Sequence, residues 1–103
     1  MSPGKAAAQA GHAYVGCLHS HLSYPLVADY LSLPIGTKVC LQAPALRDLI
    51  RAWSCAIRSG IPSFLVIDEG CLNFFEGKPI ATALGIGPIP GSAPFLRKFR
   101  LLS

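Results

Sequence analysis

Acidic residues are scarce in this sequence. Five Asp and Glu stand against nine Lys and Arg in 103 residues, which leaves a net charge of +4. In a chain only 14% charged, that excess points to an anionic partner. The low charge and the 51% hydrophobic content exclude a disordered chain and call for a buried core. No unbroken apolar run reaches the roughly 18 residues of a membrane span, so none is expected. The opening residues also lack the basic and apolar regions of a secretory leader.

Other absences narrow the chemistry. Cys17, Cys40, Cys55 and Cys71 form no C-x-x-C pair, and each sits in an apolar run. They read as reduced, hydrophobic thiols of a cytoplasmic protein. The spacing Cys17-x-His19-x-His21 does not match common zinc patterns, and no second pair completes four ligands, so no metal and no cofactor are expected. Gly85-x-Gly87-Pro88 comes without a G-x-x-x-x-G-K pattern and reads as a tight strand exit, not a phosphate loop. No Ser-His-Asp or Cys-His set is recognisably spaced, so nucleophilic catalysis is not indicated. There are no repeats and no linkers, and residues 1–103 read as one domain.

What is present begins at the amino terminus. Ser2 suits an N-cap and Pro3 the first helical position, which predicts a helix from Pro3 to about Cys17. Lys5, Gln9 and His12 then fall at i, i+4 and i+7. At about 100° per residue they lie within roughly 60° of one another, on a surface otherwise made largely of alanine. An ammonium, an amide and an imidazole on one stripe look like a site rather than a core face. Gly11 and Gly16 weaken this helix, which predicts a closely approaching backbone.

A second helix is expected over Leu26 to Leu33, with Leu26, Val27, Tyr30 and Leu31 inward, and a strand over Thr37 to Gln42. From Pro44 an amphipathic helix turns Leu46, Leu49, Ile50, Trp53 and Ile57 inward, and Arg47, Asp48, Arg51, Ser54 and Arg58 outward. Gly60 fits its C′ position. Strands follow over Ser63–Ile67 and Pro79–Ile86, and then a short helix or turn from Pro94 to Arg100. Helices alternating with continuous apolar strands predict a three-layer α/β/α fold around a small mixed, mostly parallel sheet. Asp29 and Asp48 read as solvated. Asp68 differs, because it closes an apolar strand where α/β sheets place ligands, and a carboxylate there can orient water.

The motifs carry a resemblance. Pro3-Gly4-Lys5-Ala6-Ala7-Ala8-Gln9-Ala10-Gly11-His12-Ala13 resembles the G-K-x-A-A-Q-x-x-H-A motif of type II peptidyl-tRNA hydrolases, the archaeal and eukaryotic type. Gly36–Leu41 is similar to that family's second strand, Gly60 to Gly70 to its helix exit, third strand and D-x-G loop, and Leu84–Pro88 to its L-x-I-G-P strand end. The resemblance implies hydrolysis of the ester joining peptide to tRNA. The alternative is a catalytically inactive relative that binds tRNA or protein. The hydrolytic reading casts Asp68 as the group that orients or deprotonates water, and Lys5 as the charge for the oxyanion or terminal phosphate. Gln9 and His12 would hold the ester or relay a proton. Gly4, Gly70 and Asn73 would border the substrate, and Lys38, Lys78, Arg97, Lys98 and Arg100 would meet the tRNA backbone.

Two departures are visible. The family's first strand, central in its sheet, is absent from a sequence that opens at the S-P-G-K loop. Its neighbours would be left unpaired or would pair with another chain, as in a homodimer. The Thr that follows the family's D-x-G by two residues is replaced here by Cys71-Leu72-Asn73, and Asn73 is the polar group on offer.

Overall fold

The structure is a computed structural model that describes residues 2–68, 80–89, 91 and 93–102, with Asp68 and Ile80 described by their backbone alone. Helix α1 runs from Pro3 to His19, two residues beyond expectation. The Ser2 side chain accepts a hydrogen bond from the Lys5 N–H at 3.2 Å, so the expected N-cap is in place. Helix α2 (Pro25–Leu31) follows, then β1 (Leu41–Gln42), α3 (Leu46–Arg58), β2 (Ser63–Asp68) and β3 (Ile80–Ile86). A 3₁₀ turn (Pro94–Leu96) and β4 (Arg100–Leu101) complete the order.

The architecture is mixed α/β, but its ladders depart from the expected parallel sheet. Strands β2 and β3 form an antiparallel pair from Ser63↔Ile86 to Asp68↔Ile80, and β1 pairs antiparallel with β4. Residues 69–79 between β2 and β3 are too few for the helical crossover that parallel neighbours need. The β2–β3 register slips between Val66 and Ile67, so that Val66 faces Ala83 and Ile67 faces Ala81. Thr82 is the extra residue of this bulge, and its buried hydroxyl has no hydrogen-bond partner among the described residues. The expected strand over Thr37–Gln42 shrinks to two residues because β4 offers only two partners, supplemented by the Leu102 N–H donating to the Cys40 carbonyl at 2.9 Å.

Both α1 and α3 pack on the β2–β3 hairpin. The α1 contact is unusually close at Gly85, where an added Cβ would overlap the Ala13 carbonyl and the Cys17 side chain. Ala13, Cys17, Ala52, Ala56 and Val66 are buried along these two contacts. Small residues thus dominate the buried set beside Val66 and the expected Val27, while the expected Leu49 and Trp53 are half-buried. In α3 the buried positions are Ala52 and Ala56, whereas Leu46, Ile50 and Ile57 remain exposed, Ile57 at 55%. Small side chains let the helix axis sit close to the hairpin and push bulkier neighbours to the flanks. Asp48, expected outside, is half-buried. In α2 only Val27 is buried, while Leu26 and Leu31 are exposed and Tyr30 is half-buried.

The ends follow local rules. Gly60 takes φ +69 after α3, with the Gly60 N–H bonded to the Ile57 carbonyl and the Ile61 N–H to the Ala56 carbonyl. Gly87, at φ +116, carries the chain out of β3, as expected of a strand exit. Of the helix or turn expected from Pro94, the structure has a 3₁₀ turn, which gives way to β4 at Arg100.

The two glycines of α1 behave differently. A Cβ at Gly16 would run into the Phe64 ring, which explains that glycine. At Gly11 a Cβ would meet nothing within 4 Å, so the close approach expected there is absent. Gly11→Ala should therefore raise stability by about 0.5–1 kcal/mol, because it removes backbone entropy without a clash. Gly85→Ala should lower it by about 1–3 kcal/mol, because the obstacle is backbone. Thermal unfolding of the two variants should shift in opposite directions.

Candidate functional site

The α1 stripe is the natural starting point. Lys5 lies in the first turn, which contains no acidic residue, so the electropositive helix end and the ammonium add. Gly4 and Lys5 are exposed, and a Cβ at Gly4 would meet nothing within 4 Å. One turn on, Gln9 is 8% exposed, the most buried polar side chain among the described residues. His12, a further turn along, is exposed. The alanines between them contribute no competing polar groups.

Gln9 and His12 line a cleft of about 690 Å³ together with Val15, Gly16 and the β2 segment Phe64–Ile67. One wall is thus helix and the other strand. Phe64 packs its ring on Gly16, which brings β2 and α1 together at this cleft. Asp68 is the next residue of β2 after this wall and pairs with Ile80 across the hairpin. The bulge at Thr82 falls beside that end of the ladder, a common place for a strand to be re-aimed next to a site. The arrangement offers an imidazole and an amide over an apolar strand that terminates in an acid.

The expected residues are thus only partly brought together. Gln9 and His12 share the cleft. Lys5 stands one turn before Gln9 on the same helix. Gly70, Asn73 and Lys78 lie outside the described residues. Lys38 is exposed and does not line this cleft; its Nζ lies 3.1 Å from the Gly36 carbonyl and 5.3 Å from the centre of the Tyr30 ring. Arg97, Lys98 and Arg100 are exposed around the 3₁₀ turn and β4, with Lys98 Nζ 5.3 Å from the Phe99 ring centre. Val15 and Phe64 line the cleft without having been singled out from the sequence. The Gly16–Phe64 contact was the available signal, but its partner could not be read from spacing.

A second cleft, of about 580 Å³, separates α1 from the β1–β4 side and is lined by Ala6, Ala7, Ala10, Gly11, Tyr14 and Cys40 among others. Burial, then the neighbouring Cys40 and Tyr30, push the Tyr14 phenol above its ordinary range. His21 is engaged elsewhere: its Nδ1 lies 2.6 Å from the Cys17 carbonyl and its ring meets Tyr24 edge-on.

Comparison with known proteins gives this geometry its context. The model of the family described as peptidyl-tRNA hydrolase PTH2 matches residues 1–102. A protein of Methanopyrus kandleri named peptidyl-tRNA hydrolase is 36% identical over 106 residues, covering 94% of this chain and 89% of its own length. A protein of the same name from Pyrobaculum aerophilum is 37% identical over 93 residues, covering 87% of this chain and 76% of its own. The chain belongs to the peptidyl-tRNA hydrolase PTH2 family.

Cys17 fixes the orientation of the stripe. Its Sγ donates to the Gly87 carbonyl at 3.3 Å, which ties the end of α1 to the exit of β3. Burial pushes this thiol up to about 11, from an ordinary value of 9.0. A folded value above the unfolded one means that the stability it contributes is complete below pH 9 and lost as pH rises toward 11. Alkaline unfolding of the wild type should show this loss in that window, and Cys17→Ala should not share it. Alkylation at pH 8 should reach the half-buried Cys40 and Cys55 well before Cys17.

Proposed function

We propose that this chain hydrolyses the ester between peptide and tRNA in peptidyl-tRNA and so returns tRNA to translation in the cytoplasm. The observation that carries the reading is the pairing of Gln9 and His12 over the strand that ends at Asp68, in a chain of this family. Ester hydrolysis needs an activated water, a stabilised oxyanion and a proton for the leaving oxygen. Asp68 orients or deprotonates the water that attacks the ester carbonyl carbon. Lys5, at the electropositive start of α1, balances the oxyanion or the terminal phosphate. Gln9 and His12 hold the ester or carry the proton to the ribose oxygen as the carbon–oxygen bond breaks. The products are a free peptide carboxylate and a tRNA with an intact terminal hydroxyl.

Gly4 leaves the helix start open to the substrate, and Gly70 and Asn73, which lie outside the described residues, contribute to substrate binding. Lys38, Lys78, Arg97, Lys98 and Arg100 meet the tRNA backbone, where contacts carry charge and no sequence information. A homodimer is the assembly this reading favours, because the open edges of two short ladders can be covered by a second copy.

Release of peptide from N-blocked aminoacyl-tRNA tests the proposal. His12→Ala and Lys5→Ala should each slow turnover by about 100-fold or more. Asp68→Asn should lower the rate and flatten its acid limb. Full activity in all three variants would overturn these assignments.

A further inference from the structure

Helix α3 carries a surface that the proposed hydrolysis leaves without a task. Arg47, Arg51 and Arg58 stand at i, i+4 and i+11, and all three are exposed. At about 100° and 1.5 Å per residue they fall within roughly 40° of one another along about 16 Å of helix. Ser54, also exposed, fills the gap between them and has no bulk to interrupt the line. The buried Ala52 and Ala56 lie on the opposite side, so the arginines play no part in seating the helix. Among the described residues no carboxylate pairs with any of the three, and the recorded partner is the Cys55 sulfur, 3.6 Å from an Arg58 nitrogen. Asp48, half-buried, is the one acid on α3. Beside the stripe runs an exposed apolar ridge of Leu46, Ile50 and Ile57. The 3₁₀ turn capped by Arg97 packs against the same helix, so the basic carboxyl-terminal cluster adjoins it.

Three guanidinium groups in line, one sign of charge and no internal acid partner describe a receptor for a row of anions. Arginine suits phosphate because its planar fork donates two parallel hydrogen bonds. The apolar ridge fits the wide, shallow minor groove of A-form RNA, where sugars and base edges are accessible. We infer that the Arg47–Arg51–Arg58 stripe of α3 docks the phosphate backbone of the double-helical part of the tRNA. This inference rests on the proposed substrate and adds to it a surface on α3, outside the α1–β2 cleft. A contact remote from the ester positions the substrate without touching the reacting atoms, and it serves any tRNA because phosphates are the same in all.

Binding of deacylated tRNA, measured across a salt series, tests the inference without requiring hydrolysis. Three lost phosphate contacts should reduce the slope of log K against log salt by about 2–3 and weaken binding about 10- to 100-fold at physiological salt in Arg47→Ala/Arg51→Ala/Arg58→Ala. The corresponding triple lysine variant, which keeps the charge, should retain most of the affinity and the slope. Unchanged affinity and slope in the alanine variant would overturn the inference. So would unchanged tRNA binding with loss of binding to polyglutamate, which would assign the stripe to an acidic protein. Arginine-dependent tRNA binding by a wild-type chain that cannot cleave N-blocked aminoacyl-tRNA would overturn the hydrolytic reading and leave this surface standing.

Discussion

Helix α1 meets β3 at Gly85, and this contact sets where the other elements can lie. Backbone meets backbone there, because Gly85 has no side chain and Ala13 has almost none. Such proximity places the Cys17 thiol within reach of the Gly87 carbonyl and fixes the azimuth of α1. Once that azimuth is set, the stripe of Lys5, Gln9 and His12 has one direction in which to look. Gln9 and His12 come to line the cleft beside β2. A larger residue at position 85 would lift the helix and open this arrangement along its whole length.

The same economy of side-chain size governs α3. Ala52 and Ala56 carry its packing, which leaves the larger apolar residues on the flanks and the arginines outermost. The hairpin thus has a helix bearing a polar site on one contact and a helix bearing positive charge on the other. The proposed site and the arginine stripe thus lie on different helices, both packed on the β2–β3 pair. A substrate with a small reactive end and a long polyanionic body suits that division.

Much of this was legible before any coordinates. The Ser2-Pro3 start, the Gly60 stop and the Gly87 exit are local signals, because each depends on φ or on a neighbouring side chain. The α1 stripe was legible too, since helical periodicity alone aligns Lys5, Gln9 and His12. The direction of the strands was not. Continuous apolar runs suggest parallel neighbours, yet both ladders are antiparallel; for β2 and β3 the short connection decides this, whereas β1 meets β4 across most of the chain and neither composition nor connection length sets its direction. The burial of α3 is likewise not set by periodicity. Periodicity marked Leu46, Ile50 and Ile57 as inward, but hydrophobicity states a preference for burial without stating which partner is there to provide it.

Short-range sterics and spacing make the α1 helix, its Ser2 cap, the Gly60 stop, the family motifs and the polar stripe of α1 readable from the chain alone. Long-range packing sets Phe64 on Gly16, leaves Gly11 facing open space, makes Thr82 the extra residue of a bulge and fills the α3 contact with Ala52 and Ala56. Those outcomes depend on which surfaces meet across long stretches of chain. No local rule encodes such meetings, because they follow from the packing of the whole molecule.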